Sequence, residues 1–363
     1  MRLLIALSAL LAATNTYAAV FAYVPNTTNG TVSVIDTTTQ TQTTLLTGMG
    51  SPYSAAVAPN GSVAYVVDFD SSRIIPINTT TNAAGTPIGV GVYPVNVTFT
   101  SNSATAYVSN WGANSISVVD VAGGTVLSTT STVCGGGGQP VQSTFNGAKL
   151  LIVCSGAPST VVSMDTASSN ALTTLATVGN EAYNIAISTA SGFGYVTNWG
   201  AASVSKFDLT TGATTTYPTT GVVSPLGVAV KPDGSKVYIG DYGGNNLIVM
   251  TPTGTIGTTL DLGQRNAGLG MSSNGSVIYA PLQGTANGIK VINTTSDTVT
   301  NTIANPGAQP YAIWGDFLGN VAAPAAAQTT TTSVPTLTEW GMMVLAGLMA
   351  LLGIREMRRR REV

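Results

Sequence analysis

Glu181 and Arg265 are the charged residues of this 363-residue chain whose type and placement could do chemistry. Between Ala19 and Gly319, Glu181 is the single Glu and Arg265 is one of two Arg. A carboxylate can serve as a general base, and a guanidinium can hold an anion in a fixed fork. The usual third member of such a site is missing, because the sequence contains no His. That removes the commonest general base and the commonest transition-metal ligand. The same two charges would also suit solvated loops.

Three further groups of residues draw attention. Trp111 and Trp199 occupy matching Asn-Trp-Gly-Ala turns, where a ring could stack on a sugar or a partner or cover the adjacent structural unit. Asn26, Asp68, Asn110, Asn198 and Asp241 recur at one position. They read as turn residues or as a ring of oxygens able to hold Ca²⁺ or a polar ligand. Asp36, Asn78, Asp120, Asp165, Asp208 and Asn293 recur at another and read as turn residues. With few carboxylates in the oxygen ring, no metal and no cofactor are expected.

These positions are meaningful because the chain repeats. Tyr recurs in apolar clusters at 23, 65, 107, 195, 238 and 279, with Leu151 standing for the missing copy. The period is about 42 residues, and seven copies fill residues 20–319. In each copy a strand such as Tyr107-Val108-Ser109 leads through a polar turn to an alternating strand. A Gly turn leads to a third strand, and a Gly- and Pro-containing loop to a fourth. The pairs Asn60-Gly61, Asn146-Gly147, Asp233-Gly234 and Asn274-Gly275 supply the positive φ that tight hairpins need. Four short antiparallel strands in such a unit make a propeller blade, which buries its faces only against neighbouring blades. The expected fold is therefore an all-β, seven-bladed β-propeller. Its ring should close by pairing of a C-terminal strand, residues 311–317, with the N-terminal blade, which removes the open edge.

Aligned on the Asn-Gly turns, Ser51, Tyr93, Glu181, Ser224, Arg265 and Gln309 share one place in the loop entering a blade's first strand. Gln139 joins them in a copy two residues shorter. The position should face the mouth of the central channel. Tyr93, Glu181, Arg265, Trp111 and Trp199 are thus the candidate ligand-binding residues, and no catalytic residue is assigned.

Both ends read as addresses. Residues 1–18 carry one positive charge, an apolar run over residues 3–13, and small residues at Thr16 and Ala18. That is the form of a signal peptide cleaved after Ala18. Residues 19–320 would be the propeller. An Ala/Pro/Thr linker spans 321–333, and 334–363 form a terminal segment. This segment holds Pro335-Thr336-Leu337, then Trp340-Gly341, then a short apolar stretch that would form a transmembrane helix. It ends in a basic cluster of Arg358, Arg359, Arg360 and Arg361, which would stay on the cytoplasmic side. Only 8% of residues are charged. Between Ala19 and Gly319 there are twelve acidic and seven basic residues, which argues against nucleic acid as a partner. In an exported chain the two cysteines, Cys134 and Cys154, read as a disulfide. Cys134 precedes the loop Gly135-Gly136-Gly137-Gly138, and Cys154 ends the strand antiparallel to the one that follows it.

The repeats resemble the YVTN family of propellers. Tyr195-Val196-Thr197-Asn198 carries its signature tetrapeptide, and Ser33-Val34-Ile35-Asp36, Gly227-Val228-Ala229-Val230 and Pro232-Asp233-Gly234 match its other conserved words. The tail resembles the IPTL-CTERM sorting signal, with Val334 in place of the usual Ile. The resemblance rests on Pro335, Thr336, Leu337, Trp340, Gly341 and the four arginines from Arg358 through Arg359 and Arg360 to Arg361. It implies an exosortase-type membrane protease as a partner and processing near Pro335. The protein would end on the cell surface or outside the cell, touching the membrane only through the C-terminal segment. The favoured function is a non-catalytic binding protein, expected to be monomeric, with a surface partner or polysaccharide as ligand. The competing reading is a lactonase-like hydrolase with its site at the channel mouth, and a haem-linked role lacks His and a Cys-x-x-Cys-His motif.

Overall fold

A computed structural model describes residues 21–304 apart from 148, 169, 267 and 285–287. The protein is an all-β, seven-bladed propeller. The described residues of the first blade form a three-stranded sheet of Phe21–Asn26, Thr31–Asp36 and Thr41–Leu46. The expected closing strand and the leader lie outside the described residues. So does the whole terminal segment: Pro335, Thr336, Leu337, Trp340, Gly341, the expected transmembrane helix, and Arg358, Arg359, Arg360 and Arg361.

Six further antiparallel sheets follow in chain order, and each runs from an innermost to an outermost strand. The third blade is the most regular, with Pro94–Phe99, Thr105–Asn110, Ser115–Asp120 and Thr125–Ser131. Two blades depart from it. The outermost strand of the second is split into Ala83–Ala84 and Ile88–Gly89 around Gly85-Thr86-Pro87, where Pro87 has no N–H to donate. The innermost strand of the seventh is split into Arg265–Asn266 and Gly270–Met271.

The second strand of each blade reads as a continuous apolar run because both its faces are buried. In Val63–Asp68 the two faces serve different neighbours. Tyr65 and Val67 pack with Val97, Phe99 and Val108 of the third blade. Ala64 and Val66 pack with Tyr23, Val32 and Val34 of the first. The period-2 alternation of a strand thus becomes blade-to-blade cohesion. The outermost strands, such as Thr125–Ser131, are Thr-rich and largely exposed.

Every junction is also tied by a hydrogen bond. The recurring Tyr does this at several of them. Tyr23 donates to Asn82 Oδ1 (2.7 Å) between the first and second blades. Tyr238 donates to Asp297 Oδ1 (2.7 Å) between the sixth and seventh. Tyr279 donates to the Thr37 carbonyl (3.2 Å), joining the seventh blade back to the first. Along the inner ring the Ser143 amide donates to Asn96 Oδ1 (3.0 Å) and the Ile185 amide to Gln142 Oε1 (2.6 Å). Asn184 Nδ2 donates to the Leu226 carbonyl (2.8 Å). The Asn60 amide, donating to Ser103 Oγ (2.9 Å), ties the second blade to the third. Ala22, Val24 and Ile35 pack with Tyr279, Ile289 and Val291, so the ring is closed by packing within the described residues.

Candidate functional site

The recurrent Asp and Asn at the strand-to-strand turns are spent on their own loops. Asp36 Oδ1 accepts the amides of Thr38 (2.7 Å) and Thr39 (3.1 Å), and Asp208 Oδ1 those of Thr210 (2.8 Å) and Thr211 (2.7 Å). Asn78, Asp120, Asp165 and Asn293 accept amides two or three residues on in the same way. These are Asx turns, a local backbone device.

The second series does not form a ligand ring either. Asn26, Asn110 and Asn198 end their strands as fully buried residues. Asn110 Nδ2 donates to Ser115 (3.1 Å) and Ser117 (2.9 Å), and Asn198 Nδ2 to Ser203 and Ser205 (both 3.0 Å). Asn26 does the same with Thr31 and Ser33. In the second and sixth blades, which lack those hydroxyls, the position is Asp. Asp68 meets the Arg73 guanidinium (2.8 Å) and the Ser51 amide (2.8 Å). Burial alone would raise its carboxyl, but the hydrogen bonds from Ser51, Arg73, Ser71 and Gly50 hold it below the ordinary carboxylate value. Asp241 accepts the amides of Ser224 (3.1 Å) and Gly243 (3.0 Å). The amides of Asn110 and Asn198 are spent on hydroxyls of their own blades, and their Oδ1 atoms are buried. Among the described residues no three of His, Cys, Asp and Glu gather as a metal-binding group.

The residue after each of these strand ends is different. It is Phe69, Trp111, Trp199 and Tyr242 in the second, third, fifth and sixth blades. Each donates its amide to the carbonyl of the blade's entry residue: Phe69 to Ser51 (2.9 Å), Trp111 to Tyr93 (2.9 Å), Trp199 to Glu181 (2.9 Å), Tyr242 to Ser224 (3.0 Å). The entry loop and the turn are therefore one unit, repeated on the same face of the ring. Tyr93 and Glu181 are held at φ of +51° and +49°, a conformation that costs a non-glycine residue about 1 kcal/mol or more.

The aromatic residues of these units form two runs. In the first, Tyr53 stacks on Phe69 (4.9 Å between centroids), Phe69 on Tyr93 (4.9 Å), and Tyr93 approaches Trp111 at 6.4 Å. In the second, Tyr183 meets Trp199 (5.3 Å), Trp199 meets Tyr242 (5.2 Å), and the Arg265 guanidinium lies over Tyr242 at 5.5 Å. Burial first, and then the Glu181 charge, push the Tyr183 hydroxyl above its ordinary pKa. The structure thus brings Glu181, Trp199 and Arg265 onto one run and Tyr93 and Trp111 onto the other. Sequence reasoning missed Tyr53, Phe69, Tyr183 and Tyr242. The aromatic type recurring directly after the Asn or Asp would have found Phe69 and Tyr242.

Exposure is uneven. Tyr93 is 41% and Trp111 42% exposed, whereas Phe69 and Trp199 are half-buried. Val92 and Val223, just before entry residues, are exposed at 49% and 70%. Cys134 and Cys154 are disulfide-bonded beside this face, in the fourth blade between the two runs. Asn114 further fixes Cys134 through both its amide groups (2.9 Å each).

On the opposite side, where each innermost strand turns into the second, lies an open depression of about 350 Å³. It is lined by Phe145, Ile187, Val230, Met271 and hydroxyls such as Ser188 and Ser272, and among the described residues no charged side chain lines it.

Comparisons with known proteins separate the fold from the tail. Residues 332–361 match the IPTL-CTERM motif. The match takes in Pro335, Thr336, Leu337, Trp340 and Gly341 and runs through Arg358, Arg359 and Arg360 to Arg361. This sorting signal implies an exported protein handled by an exosortase-type system. Among curated proteins none matches the chain. Solved structures resemble it in fold. Hydrazine synthase of Kuenenia stuttgartiensis is 20% identical, with a TM-score of 0.64 over 76% of this chain and 92% of that one. A protein of unknown function from Desulfotomaculum acetoxidans is 14% identical, with a TM-score of 0.66 over 80% and 96%. A candidate 6-phosphogluconolactonase from Bacteroides uniformis is 15% identical, with a TM-score of 0.65 over 81% and 98%. At these identities the likeness is one of propeller architecture.

Proposed function

We propose that this protein is a non-catalytic binding propeller of the cell exterior, and that it holds its partner on the face bearing Tyr93, Trp111, Trp199, Glu181 and Arg265. The observation that carries this reading is the pair of aromatic runs built on repeated loop units. Large amphipathic rings held on a rigid scaffold are what a binding surface needs. Residues 1–18 serve as the export signal and residues 19–320 as the YVTN-like body. Residues 321–333 are the spacer, and 334–363 are the sorting segment removed or transferred by the membrane protease. The monomer then stays on the surface or leaves the cell.

A lactonase-like hydrolysis would need acids, bases or a metal cage to converge. Glu181 and Arg265 instead sit at the two ends of one aromatic run, and the residues lining the depression on the other face include no titratable group.

Two measurements test the reading. Intact mass of the protein from envelope and medium should match Ala19 to about Val334, and retention of Arg358, Arg359, Arg360 and Arg361 would refute processing. Purified wild-type protein should rebind envelopes stripped of it, while a Trp111→Ala, Trp199→Ala double variant should not. Equal rebinding by both would remove this face from the function.

A further inference from the structure

We infer that the aromatic face takes a neutral polysaccharide, lying first across Tyr93 and Trp111; this rests on the binding role proposed above and names its ligand. Three observations select that chemistry. The first is charge. The loops and strand ends forming this face, from Thr27-Thr28-Asn29-Gly30 round to Gly284, carry as exposed charges only Asp70, Glu181, Asp261 and Arg265 among the described residues. Asp70 is engaged by Ser51, Asp261 by the Gly263 amide, and Arg265 by Tyr242. A polyanion or a nucleic acid would find no row of cations to replace its counterions.

The second is what surrounds the rings. Tyr93 follows Gly91-Val92, Trp111 precedes Gly112-Ala113, Trp199 precedes Gly200-Ala201 and Tyr242 precedes Gly243-Gly244. With small neighbours beside them, Tyr93 and Trp111 stay 41% and 42% exposed. A sugar ring presents the complement: a face of C–H bonds for the aromatic ring and a rim of hydroxyls for amides and carbonyls.

The third is support. Tyr93 is stacked from behind by Phe69, which Tyr53 stacks in turn. Tyr93 is thereby held in place before a ligand arrives, so less ordering entropy remains to be lost on binding. The rings of Tyr93 and Trp111 are inclined at 47°, which forms an open angle rather than a flat patch.

Affinity electrophoresis in native gels tests this with the exported protein as purified. One gel contains hydroxyethyl cellulose, a neutral polymer, another contains alginate, a polyanion, and a third contains none. We expect retardation by hydroxyethyl cellulose and none by alginate. Trp111→Ala should weaken retardation about tenfold, the scale of one lost aromatic contact. Leu127→Ala, on an exposed outermost strand, should leave it unchanged. Retardation by alginate alone would overturn the neutral class. No retardation in any gel, with envelope rebinding still dependent on Trp111 and Trp199, would overturn the polysaccharide and leave the binding face standing for a protein partner. Loss of both would remove the face itself.

Discussion

The amide of Trp111 donates to the carbonyl of Tyr93 at 2.9 Å, so the turn that carries one ring also fixes the loop that carries the other. The same bond joins Trp199 to Glu181. Each of these blades therefore presents an entry residue and a turn residue as a coupled pair. Diversity at those two positions, on a repeated scaffold, is how this ring acquires a distinct surface.

Gly112 is the contact through which Tyr93 is seated. A Cβ there would lie 2.6 Å from Tyr93 Cδ2 and 3.1 Å from the Val92 carbonyl. Gly112→Ala should displace the Tyr93 ring, cost about 1–2 kcal/mol of stability and lower binding with both rings still in the sequence. Gly200→Ala is the control. Its Cβ would meet the flexible Glu181 side chain, with Oε2 at 2.9 Å and Cγ at 3.1 Å, which can give way at small cost in stability. Urea unfolding of the two variants checks the contrast in stability, and envelope rebinding of Gly112→Ala checks the effect on binding.

The disulfide closes a separation of 20 residues. Loop-closure entropy for that length corresponds to about 3 kcal/mol of stabilisation. The Cys134→Ser, Cys154→Ser double variant should unfold at lower urea by that amount. Because the bridge pins the loop Gly135-Gly136-Gly137-Gly138 beside the binding face, binding should also weaken. A reducing agent should move the wild type toward the variant and leave the variant where it is.

Stability should be flat across neutral pH, since no His titrates there. Both flanks have identifiable groups. The carboxyl of Asp68 is lowered below its ordinary value of 3.8, so its contribution is present above that value and is lost as pH falls through the lower folded one. Asp68→Asn should destabilise the protein at pH 7 by about 1–3 kcal/mol and flatten the acid limb. In alkali, burial pushes Tyr23 and Tyr195 from 10.0 up to about 12. Their contribution is complete below pH about 10 and disappears as pH rises toward 12. Urea midpoints across the pH range would show both flanks, and a slope centred on pH about 6–7 would contradict the assignment.

The propeller could be read from the sequence because its period is written in residues with one job each. The Tyr of the second strand reaches the next blade, the Asx residues close turns, and the Asn-Gly pairs set hairpins. Tyr23, Asp36 and Asn274 do in the structure what those types do locally. The site was less legible. Trp111 and Trp199 stood out as a rare type, but Tyr53 becomes part of the surface only through Phe69 when the second blade is placed beside the third. The split inner strand of the seventh blade was also hidden. Its Asn266 side chain donates to the Gly268 and Pro281 carbonyls (2.9 and 2.8 Å), a local bridge that periodicity does not encode. Asp68 and Asp241 resembled cation ligands in the sequence because their partners, Arg73 and a set of backbone amides, are defined only by the fold.

Hydroxyl-radical footprinting of the protein attached to its native envelope is the most direct test of which face is engaged. Tyr93, Trp111 and Val223 lie exposed on the proposed face, while Leu127, Leu45 and Val299 lie exposed on outermost strands. Compared with the released protein, we expect protection of Tyr93 and Trp111 and unchanged reactivity at Leu127. Protection confined to Leu127, Leu45 and Val299, with Trp111 as reactive as in solution, would contradict the account.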